Sequence, residues 1–306
     1  MLHAVPSLPA EVPQAPARIM TGLYLRCLRE SRGIGLEDAA RTVQVSASVI
    51  SRWERAHSAI RSDALATLLR RYGVADDELD FLVRSLPSQD FDRGGRHMRG
   101  GCRLAAVDQW ADVAGAEAAA RHIGLMRSAS EVVQYCTVVP AGLRTRDYQQ
   151  ALLEPEVRVS RDEAVPELPA WVQQVSRVSD QRWTVLLDET VLARGCGTHP
   201  ATVAGQLRHL ANLMDRERPT GASLTIRILP LSAVRFIHAV GQVAEVAING
   251  HRMMVRIGLF PCYETGFGPA QVISAALHEA AGAAWSREAT HEALVSAAER
   301  MERRTS

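Results

Sequence analysis

Asp188, Glu189, His238, Cys262 and Glu264 are of the types that move protons or attack electrophiles, yet no spacing among them defines an acid–base pair or an activated nucleophile. The sequence carries no glycine-rich phosphate loop, no HExxH and no GxSxG. His199 and His209 stand apart with no third ligand nearby, so neither a metal nor a cofactor is expected, and the chain does not read as an enzyme. A second set of residues offers hydrogen bonding alone. Ser46, Ala47, Ser48, Ser51 and Arg52 surround Ile50 and Trp53, which lie three residues apart. On a helix, Ile50 and Trp53 turn into a core, and Ala47, Ser48, Ser51 and Arg52 turn outward. Hydroxyls and a guanidinium on the exposed first turns of a helix suit the edges of bases in a major groove. Arg55, His57 and Arg61, just beyond, suit phosphates.

The elements that must position this set follow from local pattern. Five short helices are expected at about 22 to 32, 36 to 43, 47 to 55, 63 to 72 and 77 to 86, with Ser62 capping the fourth and Gly73 ending it. Ala40 is small where two helices would cross, Val43 and Val45 flank a turn, and Ser46 is placed to cap the next helix. Between Thr21 and Gly73 nine arginines face five carboxylates, a local positive excess that suits a phosphate-facing surface.

The run LEDAARTVQVSASVISRWERA, residues 36 to 56, resembles the lambda-repressor or Cro/Xre type of helix-turn-helix. The resemblance implies an all-α domain, a double-stranded DNA operator as partner, a homodimer reading two half-sites, and a structural ion pair between Arg29 and Glu54. The chain departs from the family at Leu36 and Ala47, where Gln is frequent. Ser48, Ser51 and Arg52 are left as the readers of bases. The alternative is a helical interaction module that has lost DNA binding, its charge excess only a solvated face.

Composition frames these readings. With 306 residues, 47% hydrophobic and 23% charged, the chain can bury two ordinary cores. The net charge of +1 gives no global attraction for nucleic acid, so any such contact must be local. All basic residues are Arg, as a GC-rich coding sequence would give. Cys27, Cys102, Cys136, Cys196 and Cys262 form no CxxC pair and read as reduced thiols. Residues 1–19 carry four prolines and read as a disordered tail without signal-peptide character; with no apolar run long enough to span a bilayer, a cytoplasmic protein, nucleoid-associated when on DNA, is expected.

Residues 20–86 are thus the expected helix-turn-helix domain, 87–105 a linker rich in Gly, Arg and Asp, and 106–306 a regulatory domain. The arginines at 93, 96, 99 and 103 read as part of a solvated connection. Strands are expected at 131–138, 183–187, 223–229, 242–248 and 252–259, the last two joined by Asn249-Gly250 in a type I′ turn that sets Val246 opposite Met253 and Ala244 opposite Val255. Helices fit 106–120, 146–153, 167–181, 200–215, 269–284 and 286–301, with Val203, Leu207, Leu210 and Met214 forming one stripe. The fold class is therefore α+β: an all-α head followed by a mixed antiparallel-sheet and helix domain. Tyr135, Trp171, Trp183 and Tyr263 are the candidates to line a ligand pocket, with plain core as the alternative.

Three segments of this half, VPAGLRTRDYQQAL at 139–152, VLLDETVL with QLRHL and IRILPL across 185–231, and CYET at 262–265, resemble the actinobacterial regulators of the WhiJ type. Ala141, Arg144 and Asp180 depart from that pattern. The resemblance implies a regulator of development or secondary metabolism, often encoded beside a small partner protein, and supplies no ligand; a small-molecule effector is expected only from the candidate pocket, and the alternative is an antitoxin-like protein that restrains a small partner and autoregulates its operon.

Overall fold

The computed structural model describes residues 14–87, 108–153, 168–193, 199–218, 221–233, 236–258, 260–266 and 268–303. The expected linker at 87–105, apart from residue 87, and the tail before residue 14 lie outside them. The fold is α+β, five helices followed by a seven-stranded sheet with helices on both faces.

The head comprises α1 (Pro16–Ser31), α2 (Leu36–Thr42), α3 (Ala47–Glu54), α4 (Ser62–Arg71) and α5 (Asp76–Ser85). Helix α1 begins six residues before the expected start, with Pro16 in its first turn, where the missing N–H costs nothing. Pro16, Ala17 and Ile19, assigned from sequence to a disordered tail, are buried. Ser62 lies inside α4 rather than capping it, and Gly73 ends that helix as expected.

In the second half, β1 (Gln109–Ala111) precedes α6 (Gly115–Ser128), β2 (Glu131–Cys136), a 3-10 turn at Ala141–Leu143, α7 (Arg146–Leu153), α8 (Ala170–Gln173), β3 (Arg182–Asp188) and a 3-10 turn at Glu189–Leu192. Then come α9 (Pro200–Asp215), β4 (Ser223–Leu229), α10 (Phe236–Val240), β5 (Val243–Ile248), β6 (His251–Ile257), β7 (Pro261–Glu264), α11 (Pro269–Ala283) and α12 (Arg287–Arg303). The strand order is β1-β7-β6-β5-β2-β3-β4. Pairings β2–β3 and β3–β4 are parallel and the other four antiparallel, so helix-bearing crossovers serve one half of the sheet and hairpins the other. Asn249 and Gly250 both take positive φ, 51° and 82°, and the ribbon they close pairs Val246 with Met253 and Ala244 with Val255.

Two expectations fail locally. The helix expected over 106–120 gives way to β1, because Gln109, Trp110 and Ala111 pair with Glu264, Tyr263 and Cys262, and helix begins only at Gly115. The helix expected over 167–181 shrinks to the four residues of α8 between Pro169 and a stretch with Val175 and Val178, which favour extended backbone.

One face of the sheet buries Val133, Tyr135, Leu186 and Met254 against α10 and α11. The other buries Val132, Val185, Val246 and Val255 in a core that also contains α9, α12 and the whole inner face of the head. Head and sheet domain thus share one core. Phe81 of α5 approaches Trp110 of β1 at 5.9 Å, and Trp110 stacks on Tyr263 of β7 at 5.6 Å. Tyr24 of α1 meets Trp171 of α8 edge-on at 5.2 Å, and the hydroxyl of one and the indole N–H of the other both donate to Glu117 of α6. At the centre lies Arg121 of α6, 1% exposed, donating twice to Asp112 at 2.7 Å and once to Glu78 of α5, with the Tyr24 ring 5.0 Å from its guanidinium. Burial opposes the charge of Arg121, and its two carboxylate partners more than offset that opposition.

Replacing Arg121 by Met keeps the stem and strands two carboxylates, so denaturant unfolding should show a loss of about 3–5 kcal/mol. A melt within about 1 kcal/mol of wild type would mean that the apolar contacts alone join head to sheet.

Candidate nucleic-acid interface

Helix α3 is held from three directions. Ile50 and Trp53 are buried, as their spacing requires. Gly22 of α1 lies so close to the end of α3 that a Cβ there would stand 2.5 Å from the carbonyl oxygen of Trp53. Arg29 of α1 donates to both carboxylate oxygens of Glu54 at 2.6 and 2.9 Å, and also to the carbonyl of Ile34 at 3.0 Å. Both side chains are buried, and hydrogen bonding to Glu54 raises the pKa of Arg29 further. The turn into α3 passes through Gln44 at φ 55°, a position where glycine is commoner, and closes with the N–H of Val45 donating to the carbonyl of Ala40 at 3.1 Å.

Ser46 occupies the N-cap with extended backbone, but its side chain makes no capping bond; its hydroxyl pairs instead with that of Ser48 at 2.9 Å. Ser46, Ser48 and Arg52 are exposed, while Ala47 and Ser51 are half-buried, which narrows the outward face expected from spacing alone. Arg55 is exposed and donates to the carbonyl of Ser51 at 3.2 Å. Arg61 is exposed but forks onto Asp63 at 3.0 and 2.5 Å.

His57 is engaged elsewhere. Its Nε2 lies 2.9 Å from the carbonyl oxygen of Asn249, and the Nε2 of His251 lies 3.0 Å from the carbonyl oxygen of Arg55. Carbonyls only accept, so both rings must present Nε2–H. The tip of the β5–β6 ribbon therefore grips the C-terminal end of α3, with the two imidazoles edge to face at 5.6 Å. Sequence reasoning missed this contact, because it joins residues nearly two hundred positions apart and no local pattern signals it.

The four aromatics proposed as a pocket do not converge. Trp171 packs on α1 and Tyr263 on Trp110, while Tyr135 and Trp183 occupy opposite faces of the sheet. The Tyr135 hydroxyl donates to Asp188 at 2.6 Å, and His238 stands 3.9 Å from the same carboxylate. Burial works against the charge of Asp188, but hydrogen bonds from Thr190 and Tyr135 overcome it and hold its carboxyl below the usual range. Glu189 accepts from the backbone N–H of Leu231 at 2.7 Å, Glu264 pairs with Arg256, and the Nδ1 of His199 accepts from the N–H of Ala201 at 3.4 Å. Among the described residues no group of three His, Cys, Asp or Glu could hold a metal, and no helix is long and apolar enough to cross a membrane.

A carboxylate whose folded pKa is depressed binds its proton more weakly than in the unfolded chain, so its stabilisation is present above the unfolded value, about 3.9, and fades as pH falls through the folded one. Asp188→Asn should therefore lower the urea midpoint at pH 6 and flatten the decline below pH 4. An unchanged acid limb in the variant would remove Asp188 from the account.

Residues 22–82 match the family described as helix-turn-helix domain, and residues 110–296 match the family described as domain of unknown function (DUF5753). No curated protein and no solved structure matches the chain. The first match supports a DNA-binding regulator, and the second covers more than half of the sequence. The chain belongs to the DUF5753 family and carries a helix-turn-helix domain ahead of that family's characteristic domain.

Proposed function

We propose that this protein is a transcription regulator of the WhiJ type, a homodimer that binds a two-fold double-stranded DNA operator in the cytoplasm, on the nucleoid, through α3. The observation that carries this reading is the exposed run Ser46, Ser48 and Arg52 on the first turns of a helix fixed by Gly22 and by the buried Arg29–Glu54 pair. Rigid support is what base reading needs, since hydrogen bonds to base edges tolerate little misplacement. Ala47 and Ser51 form the half-buried margin of that surface, and Arg55, His57 and Arg61 lie where phosphates would pass. Arg55 is the strongest phosphate candidate of the three, because His57 holds the ribbon and Arg61 is paired with Asp63.

The domain at 106–306 answers in this reading to a small-molecule effector or a small partner protein. Its grip on the end of α3 gives it a direct handle on the reading helix. Developmental or secondary-metabolic genes are the proposed targets. The antitoxin-like alternative, in which the chain chiefly restrains a small partner and autoregulates its operon, draws support from the short list of base-reading side chains, Leu36 and Ala47 standing where Gln is frequent.

Fluorescence anisotropy of the protein against its own promoter region, at two salt concentrations, tests the reading. Wild type should bind well above a scrambled duplex, with affinity falling as salt rises. The Ser48→Ala, Arg52→Ala double variant should lose about 30-fold or more on the specific duplex, as two base contacts at about 1–3 kcal/mol each give. Equal binding of both proteins to both duplexes would move the antitoxin-like reading to first place.

A further inference from the structure

Between α6 and the sheet face carrying Gln134 and Trp183 lies a cavity of about 380 Å³, closed on one side by the 3-10 turn at Ala141–Leu143. Its size is that of an ordinary small-molecule site. Three properties separate it from an incidental void. The first is charge: among the described residues Arg127, Arg144 and Arg177 line it and no carboxylate does. Arg127 is engaged by the carbonyls of Val172 and Val175, and Arg144 by the carbonyl of Val139 and the side chain of Gln149. Arg177, exposed at the rim, lies over the Trp183 ring at 4.6 Å and has no acidic partner among the described residues. Partial burial and, after it, the neighbouring cations Arg127 and Arg218 pull its pKa down.

The second property is a set of unmet donors. The side chains of Gln134, 2% exposed, and Trp183, 6% exposed, form part of the wall, and among the described residues neither the Gln134 amide nitrogen nor the Trp183 indole nitrogen has a hydrogen-bond partner. Buried N–H groups are seldom left so. His122, also in the wall, is pushed by burial down to about 4 and is therefore neutral at pH 7. The third is shape: Ile123 and Met126 of α6 give the wall opposite the sheet an apolar surface, and Ile257 of β6 adds apolar area from the sheet side. At Gly142 a Cβ would stand 2.9 Å from the Trp183 ring and 3.1 Å from the Arg177 guanidinium, so glycine is what leaves room for that stacked pair.

We propose that this cavity binds a small organic anion, with Arg177 meeting a carboxylate or phosphoryl group, Gln134 and Trp183 supplying further donors, and the apolar wall taking the body of the ligand. The inference deepens the effector reading above, and the site itself does not depend on the head binding DNA. Gln242 and Ile257, at the far end of the β5–β6 ribbon, also line the cavity. The opposite end of the same ribbon holds α3, which places cavity and reading helix on one hairpin.

The test uses the full-length protein, without DNA, in thermal-shift and calorimetric titrations with 4-phenylbutyrate, phenyl phosphate, the neutral 4-phenylbutyramide and inorganic phosphate. At least one organic anion should raise the Tm saturably, as a ligand bound only by the native state must. The amide and inorganic phosphate should not match it, and which organic anion binds more tightly identifies the head group. Arg177→Gln should weaken the Kd at least tenfold while the ligand-free Tm stays close to wild type, and Gly142→Val should abolish binding by filling the rim. Arg52→Ala should bind the anion as wild type does, which separates failure of this site from failure of the DNA reading. The proposal is overturned if neither organic anion shifts the Tm, if the amide or inorganic phosphate does as much, or if Arg177→Gln binds as tightly as wild type.

Discussion

A guanidinium sealed from water must be met by acceptors on every side or it will not stay folded in, and Arg121 meets that demand by drawing them from both halves of the chain. Asp112 comes from the segment after β1, Glu78 from α5 of the head, and the Tyr24 ring from α1. Its satisfaction fixes where the head sits on the sheet. Around it the aromatic series Phe81, Trp110 and Tyr263 and the pair Tyr24 and Trp171 supply area without direction, and the ion cluster supplies direction.

From this anchored helix the order passes outward. Helix α1 meets α3 backbone to backbone at Gly22 and charge to charge at Arg29, so α3 inherits the position of α1. The β5–β6 ribbon then touches the same C-terminal end of α3, just beyond Glu54, at Arg55 and His57. An element held by two supports moves only if one of them moves, and the ribbon is the lighter of the two: it is joined to the end of α3 by two exposed hydrogen bonds, whereas α1 is joined by a buried core.

The parts of the molecule legible in the sequence are those whose structure is decided locally. Asn249-Gly250 dictates its own turn, and the register of the ribbon follows to the residue. The stripe of Val203, Leu207, Leu210 and Met214 requires α9, and the spacing of Ile50 and Trp53 orients α3. Strands β1 and β7 were not legible, because three and four residues in extended form have no preference strong enough to announce themselves and are specified by pairing with each other. The aromatic grouping failed for a reason of parity. Trp183 pairs with Val132 and Tyr135 with Leu186, so the two lie an odd number of positions, three, apart in register and their side chains leave opposite faces. The cavity that the fold does form is lined by arginines and amides drawn from four distant segments, a composition with no sequence signature.

The shared core has a consequence for how such a protein can change over evolutionary time. Helix-turn-helix units are commonly pictured as interchangeable cassettes, joined to diverse partners by tethers. Here α1 presents Tyr24 and its buried neighbours to α6 and α8 on one side and grips α3 on the other, so the cassette has no free back surface. A recombination event that replaced residues 14–87 with the corresponding unit of another regulator would mate mismatched surfaces, even if its own DNA-reading side chains were perfect. On the proposed reading of α3, lineages built on this plan should diversify operator preference by point changes on its exposed rim, and head and sheet domain should be inherited together.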